Sequence, residues 1–162
     1  MAEKNYITRA GYKRLVDELT HLATIERPKV VREVSDAAAE GDRSENSAYI
    51  YGKRRLREID RRMGFITRRL KIISVVEDKD RRTDRIFFGA TVEVEDEEGE
   101  TFRYRIVGVD EVDVNAGCIS WQSPIGRALL GKRVDDTVVV SWSAGAKEGR
   151  RELTVVGIEY ED

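Results

Sequence analysis

KRRLREIDRRMGFITRRLKII, residues 53–73, places apolar side chains in alternating steps of three and four: Leu56, Ile59, Met63, Ile66, Leu70 and Ile73. This is the a/d spacing of a coiled-coil seam, sustained for about three heptads. The same stretch holds arginine doublets, Arg54-Arg55, Arg61-Arg62 and Arg68-Arg69, recurring every seven residues. With Leu56 at position a, the doublets fall at f and g, beside and away from the seam. The helix therefore needs an apolar partner on one side and presents a cationic strip on another.

The partner lies upstream. Leu15, Leu19 and Leu22 step by four and three, and Val30, Val34 and Ala37 repeat that step one residue out of phase, with Pro28 between the sets. A proline inside a helix removes a backbone hydrogen bond, so a bend or register shift is expected near residues 24–28. Thr8 is a suitable N-cap despite Gly11 in the first turn, and Gly41 is a plausible stop. Two such helices joined by a short polar connection make an antiparallel coiled-coil hairpin, roughly 45 Å long for arms of about 30 residues.

Beyond the charged segment EDKDRRTDR, residues 77–85, the pattern changes to short strand-like runs. These are Ile86–Phe88, Thr91–Glu95, Phe102–Val107, Cys118–Trp121, Thr137–Trp142 and Leu153–Tyr160, with a turn at Glu97–Glu100 and a short helix at Pro124–Leu130. The expected architecture is α+β: a helical hairpin over residues 1–76 with its tip at 41–48, a linker over 77–85, and a small α+β domain over 86–162 with a mostly antiparallel sheet.

Charge divides along the same line. Residues 1–76 hold 17 Lys/Arg against 11 Asp/Glu, and residues 77–162 hold 12 against 20, so the halves carry +6 and −8. The first half is the one suited to phosphate. Charged residues make up 37% of the chain while hydrophobic residues reach 40%, which suggests long solvated surfaces rather than disorder. Cys118 is the only cysteine, which leaves no disulfide framework and no cysteine metal site, and His21 is the only histidine. The N-terminus lacks a signal-peptide core, and no apolar run approaches the ~18 residues of a membrane span. A soluble cytoplasmic protein without a membrane partner is expected.

Two features suggest chemistry. The arginine strip is either a solvated face whose g-position arginines pair with acids of the other helix, or a phosphate-binding surface with guanidinium forks on a polyanion. With little aromatic interleaving, the expected contact is to backbone phosphates rather than to bases. The second feature is the tip, EGDRSENSAY (40–49), with Asp42 and Glu45 close together. Read plainly, Asp42 or Ser44 caps the second helix and Glu45 favours its positive end. Alternatively, both carboxylates serve a hard cation such as Mg²⁺, for which two ligands are too few without water and a partner molecule.

The stretch GDRSENSAYIYGKRRLREIDRR (41–62) closely resembles the tip and second helix of the bacterial transcript cleavage factors of the Gre family. ITRAGYKRLVDEL (7–19), ERPKV (26–30), FFGATVEVED (87–96), RIVGVDE (105–111) and SPIGRALLGKRVDD (123–136) resemble the same family in order and spacing. The likeness spans nearly the whole chain and favours the GreB branch. It implies a C-terminal FKBP-like domain, binding of RNA polymerase at its secondary channel, and stimulation of cleavage of the extruded 3′ RNA in backtracked complexes. Residues matching Asp42 and Glu45 would help hold a second Mg²⁺ jointly with the polymerase, whose own activity does the cutting. Arg43, Ser44, Asn46 and Tyr49 would support the tip. Arg54, Arg55, Arg61, Arg62, Arg68 and Arg69 would lie along the RNA, and Ser123 and Pro124 would face the polymerase. A monomeric cofactor of the polymerase, not an enzyme itself, is expected. The sequence departs from the family pattern at Ala48, where an acid usually precedes the tip tyrosine. That departure is the one sequence support for the alternative of a channel-binding regulator that does not promote cleavage; with Asp42 and Glu45 retained, cleavage stimulation is still expected.

Overall fold

A computed structural model describes residues 5–41, 46–76, 84–144 and 147–160, apart from the side chains at 142–144 and 147. Within these, the chain forms two compact units: residues 12–73, and the segment up to Gly11 together with everything from Ser74 on. Helix and strand are mixed, with a helical hairpin toward the N-terminus and a curled sheet after it.

A short strand, β1 (Asn5–Thr8), leads directly into α1 (Arg9–His21). Thr8 caps that helix, its Oγ1 accepting the Gly11 N–H at 3.1 Å. A π-helical turn, Leu22–Glu26, joins α1 to α2 (Arg27–Ala39), and α3 (Ser47–Ile72) returns along them.

The π turn is the register shift that the two out-of-phase apolar sets call for. One wide turn absorbs one extra residue, here by the Arg27 N–H donating to the Leu22 carbonyl. Pro28 has no N–H to restore the α pattern at once, so the shift falls just before it. As a result Leu15, Leu22, Val30 and Ala37 are all buried on the first arm, facing buried Ile59 and Ile66 on the second. Each such Leu or Ile removed from water contributes about 1.5–3 kcal/mol. Gly52, also buried, lets the arms approach: a Cβ there would lie 2.5 Å from Val34 Cγ2. The 26 residues of α3 span about 39 Å at ~1.5 Å per residue.

In the second unit, β1 pairs with β2 (Ile73–Val76). A second sheet comprises β3 (Thr91–Glu95), β4 (Thr101–Val107), β5 (Cys118–Ser120), β6 (Thr137–Ala144) and β7 (Lys147–Glu159). Its order is β5-β4-β3-β7-β6, antiparallel except for the β4–β5 pair. A bulge on β7 opposite Glu93/Val94 adds local twist and curl. Alternation places Val92 and Val94, Val138 and Val140, and Leu153 and Val155 on one face, where they bury Leu129 of α4 (Pro124–Leu129).

Several expectations change here. Ile86–Phe88 is not a strand. Ile86 is fully buried in an irregular segment whose N–H and C=O bond to Lys132 and Gly131, so burial rather than pairing explains its apolar character. Ile73 begins β2 instead of closing the helical seam. The expected 1–76 module loses its first residues to the second unit, because β1 pairs with β2 and Thr8 bonds to Glu111. Of the expected linker, residues 77–83 lie outside the described residues. Asp84 and Arg85 already belong to the second unit, through an Asp84–Arg133 ion pair and an Arg85–Arg133 bridge.

Glu111 is a polar lock in this unit. It lies in a 3₁₀ turn, Val109–Glu111, after β4 and is 7% exposed. Its carboxylate accepts the Thr8 and Gly108 N–H groups, each at 2.9 Å, and the Thr8 hydroxyl. Gly11 and Gly108 lack side chains for a local reason. A Cβ on Gly11 would fall on the Glu111 carboxylate, and one on Gly108 would strike the Tyr6 carbonyl.

Candidate functional site

Asp42, Arg43, Ser44 and Glu45 lie outside the described residues, and so does the question of whether both acids meet at one ion. The structure describes how the two arms end on either side of this segment in the chain. α2 ends at Ala39, Gly41 adopts φ +134°, and α3 begins at Ser47. Asn46 ties these ends together. Its Nδ2 donates to the Ala37 carbonyl at 2.7 Å, and its Oδ1 accepts the Tyr49 N–H at 3.1 Å. The α3 cap is thus Asn46, not Asp42 or Ser44. A short amide suits the place because it bonds at once to a last-turn carbonyl of one helix, which also accepts the Glu40 N–H at 3.2 Å, and to an orphan N–H of the next. Ala48 is exposed in the first turn of α3, and that turn contains no acid.

Along α3 the six strip arginines separate into two rows. Arg55 bonds to Glu26 at 3.3 Å and to Glu58 at 3.4 Å, and Arg62 bonds to Glu18 at 2.9 Å. These g-position guanidiniums therefore knit the hairpin together, as does Arg27 with Asp60 at 2.8 Å. The pairing runs antiparallel, as the arms require. Donating a hydrogen bond to the Asp60 carboxylate raises the already high pKa of Arg27, and donating one to Glu26 does the same for Arg55, so both stay charged. Exposed pairs of this kind set register more than they add stability. The f-position arginines Arg54, Arg61 and Arg68 are exposed, without an ion pair among the described residues.

Aromatic side chains interrupt the strip, against expectation. Phe65 is 38% exposed, with the Arg62 and Arg69 guanidinium carbons 5.3 and 5.8 Å from its ring centroid. Tyr51 is 69% exposed. Both occupy heptad position c, which lies on the helix surface between f and g. The signal was present in the sequence, since each stands three and four residues from an arginine doublet.

In the second unit, Ser123 and Pro124 open α4. The Ser123 hydroxyl accepts the Gly126 N–H at 3.1 Å and donates to the Ser120 carbonyl at 2.7 Å, and Pro124 follows at the first helical position. They border a groove of about 340 Å³ lined by Ile119, Ile125, Val140, Leu153 and Arg151. Pro124 is exposed at its rim. Among the described residues, Asp96, Glu98 and Glu100 form the one acidic grouping, in the β3–β4 turn. There the Asp96 carboxylate accepts the Glu98 and Glu100 N–H groups and shapes the turn. His21 is exposed at the end of α1. None of the described helices is long and apolar enough to cross a membrane.

Two family models cover this chain: the N-terminal domain of transcription elongation factors over residues 5–75, and the GreA/GreB C-terminal domain over residues 81–160. Among similar proteins, a transcription elongation factor GreB of Haemophilus influenzae is 56% identical, across 90% of this chain and 92% of that protein. One from Neisseria meningitidis serogroup B is 48% identical, across 97% and 94%. One from Pseudomonas aeruginosa is 51% identical, across 95% and 89%. Among solved structures, the transcription factor Gfh1 aligns over 98% of this chain and 99% of its own, at 30% identity and a TM-score of 0.46. A GreA/GreB elongation factor from Nitrosomonas europaea aligns over 97% and 100%, at 20% identity and a TM-score of 0.42.

Proposed function

Because the chain belongs to the GreA/GreB family of transcription elongation factors, on its GreB side, we propose that it works on RNA polymerase through the secondary channel. There it stimulates the polymerase's own cleavage of backtracked 3′ RNA. The observation supporting this reading most is the convergence of two long helices on the segment holding Asp42 and Glu45, clasped by Asn46 across their ends. Such a hairpin holds a small polar group at the end of a stiff arm, which suits delivery into a narrow channel.

The donor set matches a hard divalent ion in kind, since carboxylate oxygens are what Mg²⁺ takes, and falls short in number. Asp42 and Glu45 would hold such an ion together with ligands from the polymerase and water. When bound, Mg²⁺ stabilises charge on phosphoryl oxygens and activates water. This chain's part is to orient the two carboxylates and keep them at the end of α2 and α3. On the same reading, Arg54, Arg61 and Arg68 meet phosphates of the extruded RNA, joined by Arg55, Arg62 and Arg69 where intrahairpin partners yield. The C-terminal domain is FKBP-like and docks to the polymerase by Ser123, Pro124 and the adjoining apolar groove.

The test uses stalled, backtracked elongation complexes supplied with Mg²⁺ and the full-length chain. The native chain should release short 3′ RNA fragments, and Asp42→Asn and Glu45→Gln should each reduce release by about a hundredfold, the scale of one lost catalytic contact. Polymerase binding without any fragment release by the native chain would replace this reading with that of a non-cleaving regulator, the outcome that Ala48 makes worth measuring.

A further inference from the structure

We infer that the arginine strip of α3 binds single-stranded RNA by base stacking as well as by phosphate contact, with Phe65 and Tyr51 as the stacking residues. This rests on the proposed function only for the source of the strand; the binding surface is argued from the helix itself. Phe65 has Arg61 and Arg68 on one flank and Arg62 and Arg69 on the other, at helical spacings of three and four residues. Tyr51 stands beside Arg54 and Arg55 in the same way. Both rings keep exposed surface within a row of cations.

The charge selects the occupant. Arg54, Arg61 and Arg68 provide cations without partners among the described residues, at intervals of two helical turns, which a polyanion complements. An exposed ring between such cations adds what a duplex cannot use, because paired bases hide their faces in the stack. A single strand can splay a base onto Phe65 by displacing one of the Arg62 and Arg69 guanidiniums that lie over the ring, leaving that cation free for the flanking phosphate. Tyr51 and Phe65 are about 21 Å apart along the helix, at ~1.5 Å per residue. Glu58 shares their column between them and bonds to Arg55, so the strip has two stacking stations separated by an acid, not a continuous aromatic track.

Fluorescence anisotropy with the full-length chain, without polymerase, tests this. The probes are a short labelled oligoribonucleotide and an abasic strand of equal length, each titrated at several salt concentrations. Phe65→Ala should weaken RNA binding roughly five- to tenfold, with the abasic strand unaffected and the salt slope unchanged. Phe65→Trp should keep RNA affinity, and its indole emission should be quenched on RNA addition. Arg61→Ala should instead weaken both strands and lower the salt slope by about 0.7. Unfolding midpoints equal to native show that each variant folds. The inference is overturned if Phe65→Ala binds RNA like the native chain or weakens both strands equally. It is also overturned if the native chain does not distinguish RNA from the abasic strand or binds neither. Failure here leaves the polymerase reading standing, because Asp42→Asn and Glu45→Gln test that separately in cleavage.

Discussion

Glu111 and Gly11 should be energetically coupled strongly enough to reverse the sign of a mutation. The Glu111 carboxylate is buried and serves two backbone N–H groups and the Thr8 hydroxyl. A hydrogen bond to a charged group contributes about 1.5–3 kcal/mol net, and an orphaned buried donor costs about 1–3 kcal/mol. Glu111→Ala orphans the Thr8 and Gly108 amides together, so a loss of about 3 kcal/mol or more is expected even with some water entry. Glu111→Gln should cost only about 1 kcal/mol, since its amide oxygen can still take both N–H groups while the Thr8 hydroxyl loses its acceptor.

Gly11→Ala attacks the same site from the other side. Its Cβ would occupy the carboxylate's position, so Glu111 must swing away and release the same donors, at a cost of about 2 kcal/mol. Once Glu111→Ala has emptied that space, the added methyl meets no carboxylate. The helical preference of Ala over Gly, up to about 1 kcal/mol, should then make Gly11→Ala stabilising. Urea unfolding of the native chain, both single variants and the double variant closes the cycle. Exchange protection of the Thr8 and Gly108 amides localises the effect even if the two units unfold separately. An equal penalty for Gly11→Ala in both backgrounds, or a Glu111→Ala chain within about 0.5 kcal/mol of native, would refute the reasoning.

Two further outcomes concern the hairpin. Gly52→Ala should destabilise it by about 1 kcal/mol, because the overpacking against Val34 exceeds the gain in helix propensity and a helical valine has essentially one rotamer. Thermal unfolding should show recovery when Val34→Ala is added, and a more stable Gly52→Ala single variant would contradict the close approach. Ala48→Glu should stabilise α3 by about 0.3–1 kcal/mol, by placing an acid at its positive end where the first turn has none. That gain should shrink with added salt, and a salt-independent effect would exclude the electrostatic cause.

Much of the hairpin is legible from local pattern. The seam from Leu56 to Ile66 needs only periodicity, and the one-residue phase slip between Leu22 and Val30 already implies a bend or register shift near residues 24–28, which takes the form of a π turn. Thr8 is recognisable as a cap from its type and place. The cap of α3 was harder, because Asp42 and Ser44 have the same capping chemistry as Asn46 and the bond to the Ala37 carbonyl belongs to Asn46. Phe65 and Tyr51 are readable from spacing, each standing three and four residues from an arginine doublet. Ile86 misleads for a general reason: short apolar runs mark burial, and burial does not demand a strand.

Sequence alone therefore determined the helical seam, the alternating strands, the charge division and the family. Each is carried by neighbours within a few residues or by ordered blocks of identity. Tertiary structure decided which groups meet. Arg55 and Arg62 became structural because Glu26 and Glu18 arrive from the opposite arm, while Arg54, Arg61 and Arg68 stayed open to a ligand. Glu111 became a lock because Thr8, 103 residues away, returns to it. Composition and spacing set the chemical types available, but only the folded path of the backbone determines which of them pair and which remain exposed.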